Sequence, residues 1–167
     1  DTLVNDSNDS SLLNRATNGA YPPGSTFKVV TALDYFRTKG SLEGFSYLCE
    51  GSITTEDHTI RCYGGTVHGQ EDFYSAFANS CNSAFAKIAV ELGPERLTAT
   101  ANELGFNIKL DVNGIASPAK SSFDVSKAAK VDLGWAGIGQ YTTLVSPYHM
   151  MSIMGCIANG GTATEPY

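Results

Sequence analysis

The chain has 167 residues, 42% hydrophobic and 17% charged, a balance that suits one domain with a buried core and excludes disorder over most of its length. Seventeen Asp and Glu against eleven scattered Lys and Arg leave a formal charge of -6, which argues against nucleic acid as a partner. No run approaches the roughly 18 apolar residues of a membrane span, and no charged start leads into an apolar stretch as in a signal peptide.

Residues 1–20 are rich in Asp, Asn and Ser and read as a polar, flexible lead-in to a body at 21–167. The start at Asp1 rather than Met points to processing or to excision from something longer. After Tyr21-Pro22-Pro23-Gly24, the apolar spacing of Phe27, Val30, Leu33 and Phe36 predicts a helix from Ser25 to Lys39, closed by Gly40. Residues 42–69 carry five glycines between short β-favouring pieces and predict a loop-rich excursion with one small hairpin. Helical patterning returns at Glu71–Ala78, then at Ser83–Leu92 and at Glu95–Leu104, with Gly93-Pro94 between the last two. Residues 106–124 read as irregular, Val125–Trp135 as a helix, and Ser146-Pro147 as the start of a last helix through Ala158. The expected fold class is mainly α.

Ser25-Thr26-Phe27-Lys28 is an S-x-x-K arrangement, in which a helical turn brings a hydroxyl and an amine to one face. A serine needs a base to take its proton, and a lysine serves if burial lowers its pKa. About one S-x-x-K is expected by chance in a chain this long, and Ser117-Pro118-Ala119-Lys120 is a second, set in a stretch where no helix would join its ends. Ser25 also reads as a helix N-cap. Ser80 and Asn82, two residues apart between helices, read either as a proton relay and an amide clamp or as caps. A Ser-His-Asp set through His58, His68 or His149 lacks a G-x-S-x-G elbow. Gly137-Ile138-Gly139 lacks the strand and glycine context of a nucleotide loop, and the Met150-Met151-Ile153-Met154 run reads as helix core.

The four cysteines are Cys49, Cys62, Cys81 and Cys156. Cys49 and Cys62 lie 13 apart around a turn region and, in an exported protein, face each other for a disulfide. Zinc is the competing reading, with His68 as a third ligand. Neither a C-x-x-C pair nor an H-x(3–5)-H pair supports it, so reduced or disulfide-bonded cysteine is expected and no metal.

The order of motifs resembles the penicillin-binding protein transpeptidases and serine β-lactamases: S-x-x-K on an early helix, then S-x-N about fifty residues later. The flanks Asn14-Arg15-Ala16, Tyr21-Pro22-Pro23-Gly24, Ser83-Ala84-Phe85, Ile138-Gly139-Gln140, Ser146-Pro147 and Ala158-Asn159-Gly160-Gly161 look like the monofunctional, class B type. The resemblance spans roughly residues 12 to 166. It implies that Ser25 is the nucleophile, Lys28 takes its proton, Ser80 shuttles the proton toward the leaving group, and Asn82 binds the substrate amide and orients Lys28. It also implies a D-Ala-D-Ala stem peptide or a β-lactam as acyl donor, no cofactor, and cell-wall synthesis proteins as partners. The expected location is the outer face of a bacterial cell membrane, held by an anchor not in this sequence.

The family's third motif, K-[ST]-G on a strand, does not occur in the sequence. The expectation is therefore a partial transpeptidase domain at 21–167: the helical subdomain of the fold without most of its sheet, inactive or very weak by itself. A β-lactamase or penicillin-sensor domain, and a non-catalytic binding or scaffold module of the same fold, are the competing expectations.

Overall fold

Phe27, Val30, Thr31 and Asp34 recur at three- and four-residue intervals and are all buried, so one face of the first helix points inward. The computed structural model describes residues 13–56, 58–110 and 118–164. A 3-10 turn, Gly24–Phe27, runs directly into α1, Lys28–Lys39, which Gly40 closes in the left-handed conformation. The excursion that follows holds β1 (Tyr47–Cys49), β2 (Ser52–Thr55), β3 (His58–Arg61) and β4 (Gly69–Glu71). Strands β2 and β3 form the expected small antiparallel hairpin, and β1 pairs with β4 in a second two-stranded ladder.

Helices α2 (Phe73–Ala78), α3 (Asn82–Leu92), α4 (Pro94–Glu103), α5 (Lys130–Gly137) and α6 (Pro147–Ala158) complete the chain. The residues expected at Ser83–Leu92, Glu95–Leu104 and 147–158 are helical to within one position. Pro94 and Pro147 start two of these helices where a missing N–H costs nothing. Three helices start later than their patterns. Ser25–Phe27 lie in the 3-10 turn, and Glu71 belongs to β4 with Asp72 as the N-cap of α2. Val125–Ala129 is not helical, because Asp124 accepts hydrogen bonds from the N–H and hydroxyl of Ser126 and winds the chain into a turn.

Helix α3 is the central element, packed by α1, α4, α5 and the β2–β3 hairpin. Its Ala84, Phe85, Ala86, Ile88 and Ala89 are almost wholly buried. Small residues let α5 press close: a Cβ at Gly137 would stand 2.2 Å from that of Ala89, and one at Gly134 would meet Ile60 at 2.8 Å. Phe27 stacks on Phe123 and meets Phe106 edge-on, which fixes the start of α1 into the core. The mainly helical expectation is met by this arrangement.

Residues 13–20 end in the packed body. Thr17 is buried, its carbonyl accepts from the N–H of Ala119, and the Ala16 carbonyl accepts from that of Tyr148. The rest of the expected lead-in, and Ser117 of the second S-x-x-K, lie outside the described residues.

Candidate active site

Ser25 sits in the 3-10 turn that precedes α1, exposed at the surface, and Lys28 is the first residue of α1 with only 2% of its surface exposed. Neither serine of the two motifs caps the start of a helix with its side chain. No side chain caps the 3-10 turn or α1, and α3 is capped by Cys81, whose sulfur accepts from the N–H of Ala84.

A backbone contact holds the Ser25 turn in place. Gly24 donates its N–H to the carbonyl of Gly139 at 2.9 Å. Gly139 has φ +77°, and a Cβ there would stand 2.1 Å from the Gly24 carbonyl oxygen. The Gly137-Ile138-Gly139 stretch is thus the seat on which the Ser25 turn rests.

Ser80 closes α2. Its N–H bonds to the Phe77 carbonyl and that of Cys81 to the Ala76 carbonyl, the paired bonds of a Schellman ending. Glycine is usual at the Ser80 position because φ there is +53°, which costs a residue with a Cβ roughly 1–2 kcal/mol. The strain turns both the carbonyl and the hydroxyl of Ser80 toward Lys28.

All four sequence-predicted residues meet at the Lys28 amine. Nζ lies 3.2 Å from Ser25 Oγ, 2.9 Å from Ser80 Oγ, 2.6 Å from the Ser80 carbonyl oxygen and 2.8 Å from Asn82 Oδ1. Asn82 donates from Nδ2 to the Arg61 carbonyl on β3, which fixes Oδ1 toward the amine. The carbonyl and amide oxygens can only accept. In a neutral amine they take both N–H groups, and the remaining lone pair faces the two hydroxyls.

Burial lowers the Lys28 pKa from 10.5 to about 8, while Cys81 and Cys62 nearby push it the other way. The amine also lies 5.7 Å from the ring centre of Phe85, a contact that favours its charged form. A proton can therefore leave and return close to neutral pH.

Above the amine opens a cleft of about 460 Å³ lined by Ser25, Tyr63, Thr66, His68, Asn79, Ser80 and Asn82. Buried Glu71 on β4 accepts from the side chain of Asn79 and so ties the cleft wall to the sheet. The histidines take no part in the Lys28 cluster. His149 is buried between the Ser121 hydroxyl and the Leu104 carbonyl, each 2.7 Å from a ring nitrogen, and burial lowers its pKa. His58 is exposed at the start of β3.

The sequence matches the penicillin binding protein transpeptidase domain over residues 2–167. The chain belongs to the penicillin-binding protein transpeptidase family. It is 30% identical to the peptidoglycan D,D-transpeptidase PbpA of Mycolicibacterium smegmatis over 168 residues, covering 98% of this chain and 34% of that protein. Its fold superposes on penicillin-binding protein A from M. tuberculosis, solved as a ceftriaxone acyl-enzyme complex, with a TM-score of 0.88 and 29% identity over 97% of this chain and 37% of that one. It also matches PBP2 in its complex with MreC from Helicobacter pylori, with a TM-score of 0.81 and 27% identity over 89% of this chain and 30% of that one. The chain thus spans about a third of the length of the family members it matches.

Sequence reasoning named the four residues around the amine but missed two features of this family member. The seat formed by Gly139 joins it to Gly24, 115 residues away, and no local pattern pairs the two. Cys81, between Ser80 and Asn82, carried no local signal, because its partners are 19 and 32 residues away.

Proposed function

We propose that this chain is the nucleophile-bearing part of a D,D-transpeptidase that cross-links peptidoglycan stem peptides through a Ser25 acyl-enzyme and is acylated by β-lactams. The observation that carries the reading is the convergence of Ser25 Oγ, Ser80 Oγ and Asn82 Oδ1 on one buried amine. In the first step neutral Lys28 takes the Ser25 proton as Oγ attacks the carbonyl of a D-Ala-D-Ala terminus. The ammonium then passes a proton through the Ser80 hydroxyl to the leaving amine, and Asn82 holds the substrate amide. An amine of a neighbouring stem peptide attacks the acyl-enzyme with the same groups running in reverse.

The backbone N–H of Ser25 supplies one oxyanion donor. No K-[ST]-G segment occurs in the 167 residues, and lack of a second donor raises a barrier by roughly 3–4 kcal/mol. The 167-residue chain by itself is therefore expected to acylate slowly or not at all. A lactamase needs a base to activate water for deacylation. The cleft lining holds no carboxylate among the described residues, which favours a long-lived acyl-enzyme over a β-lactamase.

The working site of the parent is the outer face of the bacterial cell membrane, beside other cell-wall synthesis proteins. No helix among the described residues is long and apolar enough to cross a membrane. The test is labelling of a complete transpeptidase domain carrying this sequence with a fluorescent penicillin, against its Ser25→Ala variant. Stable labelling lost in the variant supports the transpeptidase reading. Rapid turnover would point to a lactamase, and no labelling of a folded domain to a scaffold.

A further inference from the structure

Beside the cleft, sharing His68 with its lining, three cysteines and a histidine from four separate segments come together. Cys49 ends β1, Cys62 follows β3, His68 precedes β4, and Cys81 caps α3. Their four ligand atoms all lie within 4.8 Å of one another. Cys49 Sγ is 3.7 Å from Cys62 Sγ and 3.3 Å from His68 Nδ1, and Cys62 Sγ is 3.8 Å from Cys81 Sγ. A zinc ion with sulfur ligands at about 2.3 Å in a tetrahedron requires sulfurs roughly 3.8 Å apart. The two sulfur–sulfur distances meet that requirement.

We infer that Cys49, Cys62, His68 and Cys81 bind one zinc ion at a closed structural site that fastens the Ser80–Asn82 loop under the acyl-transfer cleft. Four protein ligands leave no open position, so the ion supplies no reaction step. Binding releases the protons of the three thiols, His68 coordinates through Nδ1 as a neutral imidazole, and the centre carries a net charge of -1.

Polar groups lie against the sulfurs, while burial and the Glu71 side chain favour the protonated Cys81 thiol in the metal-free chain. The Gly51 N–H is directed at Cys49 Sγ and the Ala84 N–H at Cys81 Sγ. Buried Ser83 places its hydroxyl 3.3, 3.4 and 3.3 Å from the sulfurs of Cys49, Cys62 and Cys81. Such outer partners hold ligands in orientation and stabilise their charge. Apolar packing alone would explain three buried cysteines, but not the half-buried imidazole turned onto one of them or the polar groups aimed at all three.

The expected absence of metal rested on missing short-range spacing. The four ligands are 13, 6 and 13 residues apart, and β1, β3, β4 and α3 bring them together instead. A Cys49–Cys62 disulfide, the alternative read from the sequence, would use two ligands and strand Cys81 and His68. The location of Cys81 gives the site its consequence. Its sulfur anchors the residue between Ser80 and Asn82, and Ser80 is held at a left-handed φ.

The inference stands apart from the acyl-transfer reading, because its test reads metal and not activity. The chain is produced in zinc-supplemented medium without a polyhistidine tag and purified with a thiol reductant but no chelator. Elemental analysis is expected to find one zinc per chain, and cobalt(II) added to the stripped protein to give the intense tetrahedral and thiolate-to-metal bands at one equivalent. Cys81→Ser should abolish that spectrum. His68→Cys should keep one equivalent with an altered spectrum, whereas His68→Ala should not hold it.

Ser83→Ala keeps all four ligands and should weaken zinc by about 10–100-fold. Circular dichroism of each variant separates loss of metal from loss of fold, and a misfolded Cys81→Ser leaves the His68→Cys and Ser83→Ala results to decide. A metal-free chain in which Cys49, Cys62 and Cys81 all react with a thiol reagent, as Cys156 does, would overturn the inference. So would a native mass two hydrogens light that maps to Cys49–Cys62, or cobalt binding that ignores His68 and Ser83.

Discussion

The amine of Lys28 lies 2.9 Å from the hydroxyl of Ser80, 52 residues away, and 2.6 Å from the carbonyl of the same residue. One residue thus offers Lys28 both a fixed acceptor and a group that can pass a proton on. The carbonyl holds an N–H whatever the charge of the amine, so Nζ does not swing when it gains or loses a proton. Helix α1 supplies the amine and the end of α2 supplies Ser80, each fixed by backbone hydrogen bonds rather than by the other.

Lys28 as base predicts that charge alone cannot replace it. In a complete transpeptidase domain, Lys28→Arg keeps a cation but cannot accept a proton near neutral pH. Its rate of β-lactam acylation should fall by roughly 10²–10⁴-fold, the usual contribution of a positioned base. Stopped-flow acylation at saturating β-lactam checks this. A loss of less than tenfold in a folded variant would remove Lys28 from the role.

The lowered pKa of Lys28 sets a pH profile. Only the neutral amine accepts the Ser25 proton, so the acylation rate should rise as pH increases toward about 8 and level off above it. Burial is the main cause of the lowering, so a substitution that lets water reach Nζ should move the midpoint upward. A rate that falls across this range would require the charged amine and contradict the assignment.

Gly139 is predicted to matter to Ser25 though it lies outside the cleft lining. Gly139→Ala puts a Cβ 2.1 Å from the Gly24 carbonyl oxygen at a φ of +77°. Overpacking of this kind costs about 1–3 kcal/mol, and each kcal/mol lowers Tm by about 2–4 °C in a domain of this size. Acylation should slow as well, because the turn that carries Ser25 must shift to relieve the clash. Calorimetry and labelling rate together separate the two effects.

Phe27, between Ser25 and Lys28, is predicted to serve the fold alone. It is fully buried and stacked against Phe123 with ring centres 5.1 Å apart. Phe27→Ala should cost about 3–5 kcal/mol in urea unfolding. Phe27→Leu keeps most of the volume and should lose much less.

The helices were legible because punctuation and periodicity act over short spans. Pro94 and Pro147 start helices, Gly40 and Gly93 close them, and at these four points the predicted ends fall within one residue. The start of α5 was not legible, since Val125 and Ala128 are apolar at helical spacing while the Asp124 side chain diverts the chain into a turn. The β1–β4 ladder joins three-residue strands across an intervening hairpin, and so short a strand has no pattern of its own.

The Ser25, Lys28, Ser80 and Asn82 set was visible through motif order, and the structure brings the four within hydrogen-bond reach of one atom. Cys81 was not joined to Cys49, Cys62 and His68 in the sequence, because what joins it to them is the packing of α3 against the strands. Local spacing predicts chemistry built on one turn or one helix. It is silent on chemistry assembled from four elements.

The most direct test is intact-mass and peptide analysis of a complete transpeptidase domain carrying this sequence after brief exposure to benzylpenicillin. The account predicts one penicilloyl adduct, mapped to Ser25 in the wild type, absent from folded Ser25→Ala and formed far more slowly in Lys28→Arg. An adduct on another residue, or one that persists in Ser25→Ala, would contradict it.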